Sequence, residues 1–179
     1  MFKIYNITEK DLKKVSEFIK DNFLNFPPYK DVLTKQEMEW FFFLNTPEKL
    51  KKKLDDENYI YTKLIKDEND KVMWICFAEL EDIELGWEKV STLCIKRMHW
   101  HRDFIEEGSY NILYFDIENF VKNYNKNNEN KIKYLTVVPS NSFIKNFFLE
   151  KWFKKIKEHL TDSMKENNIP ATDLLWKSF

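Results

Sequence analysis

The sequence predicts an α/β (α+β) protein with a mixed, mostly antiparallel central sheet of about seven strands flanked by helices. Two observations carry this prediction. Apolar residues recur at helical spacing in the first third of the chain, and at strand spacing in the middle. Later in the chain, single helices separate the predicted strands. A helix that crosses between two strands of one sheet places those strands parallel, whereas the preceding meander is antiparallel.

The first elements are a short strand and a capped helix. The strand covers residues 2–6, and Thr8 with Asp11 three residues later predicts the start of a helix. The apolar face of this helix recurs every three or four residues and consists of Leu12, Val15, Phe18, Ile19 and Phe23.

Two more helices follow a break at residues 27–28, where two prolines stand together. Thr34 and Glu37 form a capping-box pattern that begins the second helix, which carries Trp40 and three phenylalanines. Pro47 suits the first position of the third helix. These aromatic residues make the second helix unusually apolar.

The remaining elements follow a change to strand periodicity. Turn-forming residues at 67–70 join the first two strands of this part as a hairpin. In chain order we predict strands over 59–66, 71–80 and 90–100, a helix from Gly108, a polar loop over 123–130, a strand over 132–138, a helix over 142–151, a strand over 153–159, a loop over 162–170 and a strand over 172–179.

Composition favours one globular domain, spanning residues 1–179. The net charge of −1 provides no field that attracts nucleic acid or anionic lipid, so we expect neither as a partner. Neither a signal peptide nor an apolar run of about 20 residues is found, which predicts a cytoplasmic protein. Cys76 and Cys94 lie in apolar strand-like runs and are predicted to be buried, reduced thiols.

The segment from Asn141 to Phe153 carries a recognisable pattern. It matches Asn-x-x-Ala-x-x-Phe-Tyr-x-x-x-Gly-Phe in register, with Phe148 in place of Tyr and Trp152 in place of Gly. A strand precedes this segment and a strand ends the chain. Together with the order of elements, the segment resembles the C-terminal half of the GNAT N-acetyltransferase superfamily.

The resemblance implies that acyl-coenzyme A is a co-substrate and that no metal is needed. Backbone N–H groups at a helix start bind phosphate in this family, because they are unpaired and the helix dipole is positive there. The implied cofactor-binding residues are Ile95, Lys96, Arg97, Arg102, Gly108, Ser109, Tyr110, Asn111 and Asn141. An ordinary capped helix start explains Glu106 to Ser109 equally well.

The resemblance also implies transfer of an acetyl or other acyl group to a primary amine by direct attack in a ternary complex. Glu88 and His99 are the candidate general bases. Phe148 stands at the acid position of the family and has no proton to donate. His99 and His101 share one strand face, but no third metal ligand is evident.

A second function stays open on the same residues: a GNAT-fold protein without catalysis that acts as a binding module. The altered phosphate loop and Phe148 motivate this alternative, and the helix around Trp40 would be the partner surface. The acceptor amine and the presence of a homodimer are not specified by the sequence.

Overall fold

The computed structural model describes residues 3–25, 34–85, 87–101, 110–139, 142–150, 153–159 and 172–179. Their helices are α1 (Leu12–Asn25), α2 (Lys35–Phe43), α3 (Pro47–Leu54), α4 (Tyr110–Asn127) and α5 (Ser142–Glu150). Their strands are β1 (Lys3–Asn6), β2 (Tyr61–Lys66), β3 (Val72–Leu85), β4 (Glu88–Trp100), β5 (Tyr134–Val137), β6 (Lys154–His159) and β7 (Thr172–Ser178).

Within the described residues, the strands form one seven-stranded sheet in the order β1-β2-β3-β4-β5-β7-β6. The β1–β2, β2–β3, β5–β7 and β6–β7 pairs are antiparallel, and β4–β5 is parallel. The predicted fold class is therefore confirmed, including the parallel pair around the crossover helix. No helix in the described part of the chain has both the length and the apolar character required to cross a membrane.

The chain forms two compact units, Met1–Glu79 with Arg97–Ile117, and Leu80–Lys96 with Glu118–Phe179. That division leaves the sequence prediction of a single domain untested.

The first unit has a core built from α1, α3, β2 and β3. The apolar face predicted for α1 is buried, from Leu12 through Phe23. It packs with Leu50 of α3 and with Leu64 and Ile75 of the paired strands β2 and β3. The Tyr61 hydroxyl group donates to Asp116 Oδ2 at 2.8 Å, which ties the beginning of α4 to β2.

The second unit is organised around β5, which lies between β4 and β7. Leu135 and Val137 of β5 are buried, as are Leu174 and Leu175 of β7. Phe148 of α5 is also buried.

The sequence predicts a polar loop over residues 123–130. This prediction is wrong for residues 123–127, because α4 continues through Asn127. Asparagine side chains bond the backbone there instead of ending the helix. Asn127 Nδ2 donates to the Asn123 carbonyl oxygen at 3.0 Å, and Asn128 Nδ2 donates to the Tyr124 carbonyl oxygen at 2.8 Å. Residues 160–171 lie outside the described part of the chain, and so does the loop predicted over 162–170.

Candidate active site

The parallel ladder between β4 and β5 ends partway along β4. Four pairs are in register, from Thr92 opposite Tyr134 to Ile95 opposite Val137. Strand β4 runs on to Trp100, whereas β5 stops at Val137. Within the described residues, β4 therefore has no β5 partner after Ile95. At its far end, the Trp100 carbonyl oxygen accepts from Asn22 Nδ2 of α1 at 2.7 Å.

A cavity of about 510 Å³ lies in the second unit where this ladder ends. Residues from four strands line it: Glu81, Asp82, Ile83, Glu84, Cys94, Ile95, Lys96, Thr136, Val138 and Leu174. Its volume is within the range of pockets that bind small molecules and cofactors.

An ion pair between Glu81 and Lys96 lies on the cavity wall, joining Glu81 Oε1 to Lys96 Nζ. The two side chains are 34% and 32% exposed, so both remain within reach of a bound solute. The Thr92 hydroxyl group donates to the Glu81 carbonyl oxygen at 3.2 Å, which fixes the backbone that carries this carboxylate. Glu81 thus provides the cavity with a fixed proton acceptor.

Cys94 is the cysteine of this cavity, and it is a free thiol that is only 4% exposed. Desolvation by burial raises the pKa of Cys94 to about 12. The neighbouring Lys96 charge opposes that rise without overcoming it. Since the thiolate is the nucleophilic form, Cys94 is not a nucleophile at neutral pH.

In the first unit, Arg97 and His99 both face the ring of Phe41 on α2. The Arg97 guanidinium carbon lies 6.0 Å from the Phe41 ring centroid, and the His99 ring centroid lies 6.1 Å from it. Desolvation and, to a smaller degree, the Arg97 charge lower the pKa of His99 to about 3. His99 is therefore a neutral ring at physiological pH, and a weak base.

Solved structures share this arrangement of strands and helices. The N-acetyltransferase PaiA from Thermoplasma acidophilum, in complex with coenzyme A, superposes with a TM-score of 0.70 at 14% identity, covering 100% of this chain and 99% of that one. The chain has the GNAT fold.

Two further solved structures are similar to this chain in fold. A possible acetyltransferase from Clostridium difficile 630 gives a TM-score of 0.57 at 16% identity, over 90% of this chain and 96% of that one. A mutant AtaT toxin bound to the C-terminus of the antitoxin AtaR and acetyl-CoA gives a TM-score of 0.59 at 13% identity. That superposition covers 99% of this chain and 93% of the toxin chain. No protein-family model matches the sequence, and no curated protein matches it.

Of the cofactor residues predicted from the sequence, two lie where the β4–β5 ladder ends. Ile95 is the last paired residue of β4, and Lys96 lines the cavity. Tyr110 and Asn111 form the first described residues of α4. Four others lie outside the described residues: Arg102, Gly108, Ser109 and Asn141.

The two predicted bases lie in different surroundings. Glu88 is exposed at the first position of β4 and does not line the cavity. His99 lies in the first unit, with its ring against that of Phe41. Glu81 is not among the bases predicted from the sequence. The available signal was the alternation of Glu79 and Glu81 on one face of β3.

Phe148 packs as a core aromatic residue. It is 2% exposed, and its ring lies edge-on to Phe153 with the centroids 4.9 Å apart.

In the described residues, no group of three or more His, Cys, Asp or Glu side chains is placed to hold a metal ion. His101 Nε2 instead lies 3.0 Å from Lys71 Nζ.

Proposed function

We propose that this GNAT-fold chain is an acyl-CoA-dependent N-acyltransferase that transfers an acetyl or other acyl group to a primary amine by direct attack in a ternary complex. The observation that carries the proposal is the cavity at the end of the β4–β5 ladder, with Glu81 on its wall. Both substrates would meet there.

In this proposal the open edge of β4 at Ile95, Lys96 and Arg97 provides backbone N–H groups for the acyl carbonyl oxygen. Donors fixed in advance stabilise the negative charge that develops on that oxygen during attack. Arg102 and the backbone N–H groups of Gly108–Asn111 would bind the phosphates of the acyl-CoA, and Asn141 would contact its other end.

Glu81 would act as the general base. The amine nitrogen forms a bond to the carbonyl carbon, the carbon–sulfur bond breaks, and a proton passes from the nitrogen to the Glu81 carboxylate, directly or through water. Lys96 holds the carboxylate in the cavity. Glu88 and His99 remain the bases predicted from the sequence, and Glu81 is favoured over them by its position.

Direct attack is favoured over an acyl-enzyme route by the state of Cys94. A covalent route needs an activated nucleophile with a base beside it or with a lowered pKa. The Glu81 carboxylate lies beside Cys94, but burial and the charge of Glu81 raise the pKa of the thiol to about 12, so Cys94 is not activated by a lowered pKa. The thiolate that leaves is a good leaving group, so the absence of a proton donor at Phe148 does not prevent transfer.

Titration with acetyl-CoA, followed by heat release and by melting temperature, tests the cofactor part of the proposal. A ligand at a hundredfold excess over its dissociation constant stabilises the protein by about 2.7 kcal/mol. A free-thiol assay against a panel of amines then tests turnover. The absence of a melting shift at millimolar acetyl-CoA would contradict the proposal.

One observation favours the binding-module alternative. Trp40 and Phe43 on α2 are 60% and 46% exposed, and their rings stack with centroids 5.5 Å apart. Exposed aromatic pairs of this kind are common at protein–protein contacts. A chain that neither binds acetyl-CoA nor releases thiol, but loses self-association or partner binding in Trp40→Ser, would fit this alternative.

A further inference from the structure

The guanidinium group of Arg97 is a half-buried cation for which the described residues provide no anion. Its Nε atom is buried and has no hydrogen-bond partner. Arg97 takes part in none of the ion pairs found among the described residues. The ring of Phe41 provides a cation–π contact, with its centroid 6.0 Å from the guanidinium carbon of Arg97.

Burying the guanidinium group of Arg97 without an anion costs free energy of folding. Arginine is rarely buried unless it is paired, because removing a charge from water is unfavourable without a compensating contact. Burial lowers the pKa of Arg97, and Tyr59 opposes this only in part. A cation held in this way is suited to an anion that arrives from solution.

We propose that Arg97 binds the carboxylate of a small amine with an apolar or aromatic body, such as an amino acid. Arg97, His99 and Phe41 all belong to the first unit, so this inference stands apart from the proposed function. Binding of the carboxylate at Arg97 does not require catalysis.

The combined charge of Arg97 and His99 favours a ligand group with a single negative charge. Arg97 contributes one positive charge, and His99 beside it is a neutral ring that contributes none. A single guanidinium group matches one carboxylate, which it can bind through two parallel N–H···O bonds. A phosphate dianion would call for further cations or several backbone donors, as at a phosphate-binding loop.

The rings around Arg97 select the rest of the ligand. Phe41 stacks on Phe23 with centroids 4.0 Å apart, and Phe42 lies edge-on to Phe23 at 5.7 Å. Phe41, Phe42 and His99 are all only partly buried, so their rings present apolar surface to a solute. An aromatic or large apolar side chain would pack there while its carboxylate meets the guanidinium group.

Nuclear magnetic resonance of arginine Nε–H groups tests the binding step without any turnover. The chain has two arginines, Arg97 and Arg102, so Arg102→Lys assigns both signals. The probes are L-phenylalanine, 3-phenylpropionate and phenethylamine. We expect the Arg97 Nε–H signal to shift with the two carboxylates and to stay in place with phenethylamine. No shift with either carboxylate, or an equal shift with phenethylamine, would overturn the inference.

Two variants separate ligand binding from a structural role. Arg97→Met removes an unpaired charge and keeps the apolar stem, so we expect the melting temperature to stay equal or to rise. Arg97→Lys keeps the charge but loses the bidentate fork, so we expect it to weaken L-phenylalanine binding at least tenfold. A marked fall in the melting temperature of Arg97→Met would assign Arg97 to the fold instead.

A transferase assay on the wild type separates this inference from the proposed function. Carboxylate binding to a chain without any transferase activity would leave the Arg97 site standing. Transferase activity without a shift of the Arg97 Nε–H signal by either carboxylate would overturn the inference and leave the proposed function standing.

Discussion

Ile95 lies opposite Val137 in the last registered pair of the parallel β4–β5 ladder, and β4 continues beyond that pair to Trp100. The end of this pairing opens a strand edge beside a cavity of about 510 Å³. A backbone edge of this kind needs no particular side chain to polarise a carbonyl group. It can therefore be present in a chain whose side chains depart from the GNAT pattern.

Glu81→Gln should lower kcat by about 10²- to 10⁴-fold, because the amide side chain does not accept a proton from the amine. Acetyl-CoA affinity should remain close to that of the wild type. The free-thiol assay and a binding titration measure the two effects. Glu88→Gln is the comparison variant, since Glu88 is exposed outside the cavity. A large loss in Glu88→Gln with an unaffected Glu81→Gln would assign the base to Glu88.

Gly108→Asp should weaken acetyl-CoA binding by placing a negative charge beside the proposed phosphate site. The chain has one other glycine, Gly86, which follows β3, so Gly86→Asp is a matched control for the same substitution elsewhere. Titration calorimetry on both variants measures the difference. Equal affinity in wild type and Gly108→Asp would exclude this helix start from the cofactor site.

Cys94→Ala should retain turnover within about threefold of the wild type, since a buried thiol with a raised pKa is not an activated nucleophile. Intact-mass spectrometry of the wild type mixed with acetyl-CoA should reveal no acetyl adduct on the chain. Cys76, which is also buried, provides the control variant Cys76→Ala. A stable adduct that disappears in Cys94→Ala would replace direct attack by an acyl-enzyme route.

Much of the fold could be predicted from the sequence because its helices and strands carry strong periodic patterns. The buried face of α1 is an example, since Val15 and Ile19 recur at helical spacing and are both fully buried. Element ends were harder to predict. Strand β3 extends to Leu85, five residues beyond the predicted end at Leu80, through a run rich in acidic residues. The acidic residues of that run favoured the end of the strand at Leu80.

The candidate base shows why the site was harder to predict than the fold. Glu81 meets Lys96 only because β3 and β4 lie in a particular register, and register depends on pairing across the sheet. No spacing along the chain indicates that contact. Similarly, Arg97 has no ion-pair partner among the described residues, and this depends on what surrounds it in space and not on its neighbours in sequence.

Asp11→Asn should destabilise the protein by about 1–3 kcal/mol at neutral pH, as expected for a hydrogen-bonded carboxylate. Asp11 Oδ2 accepts from the Thr8 backbone N–H at 3.0 Å, and Asp11 Oδ1 accepts from Lys66 Nζ at 3.0 Å. Desolvation opposes the shift, but these hydrogen bonds prevail and lower the pKa of Asp11. Urea unfolding at neutral pH measures the loss.

The pH dependence of that loss follows from the sign of the shift. A carboxyl group with a lowered folded-state pKa stabilises the protein above its unfolded pKa, which is 3.8 for Asp11. The stabilisation is lost as the pH falls through the folded-state pKa, which lies below 3.8, so wild type and Asp11→Asn should converge in stability at lower pH. Glu57→Gln, at an exposed position of the first unit, is the control. A difference that persists at low pH would contradict this assignment.

Phe148→Tyr should destabilise the protein without raising kcat. Phe148 is 2% exposed and packs edge-on to Phe153, so a hydroxyl group added to its ring would be buried in an apolar contact. Burying a hydroxyl group without a partner costs about 1–3 kcal/mol in proteins. Phe153→Tyr, at a position that is 4% exposed, makes the same change on the partner ring. If kcat rises in Phe148→Tyr and not in Phe153→Tyr, the hydroxyl group reaches the leaving thiolate, and position 148 is an acid site that this chain has lost.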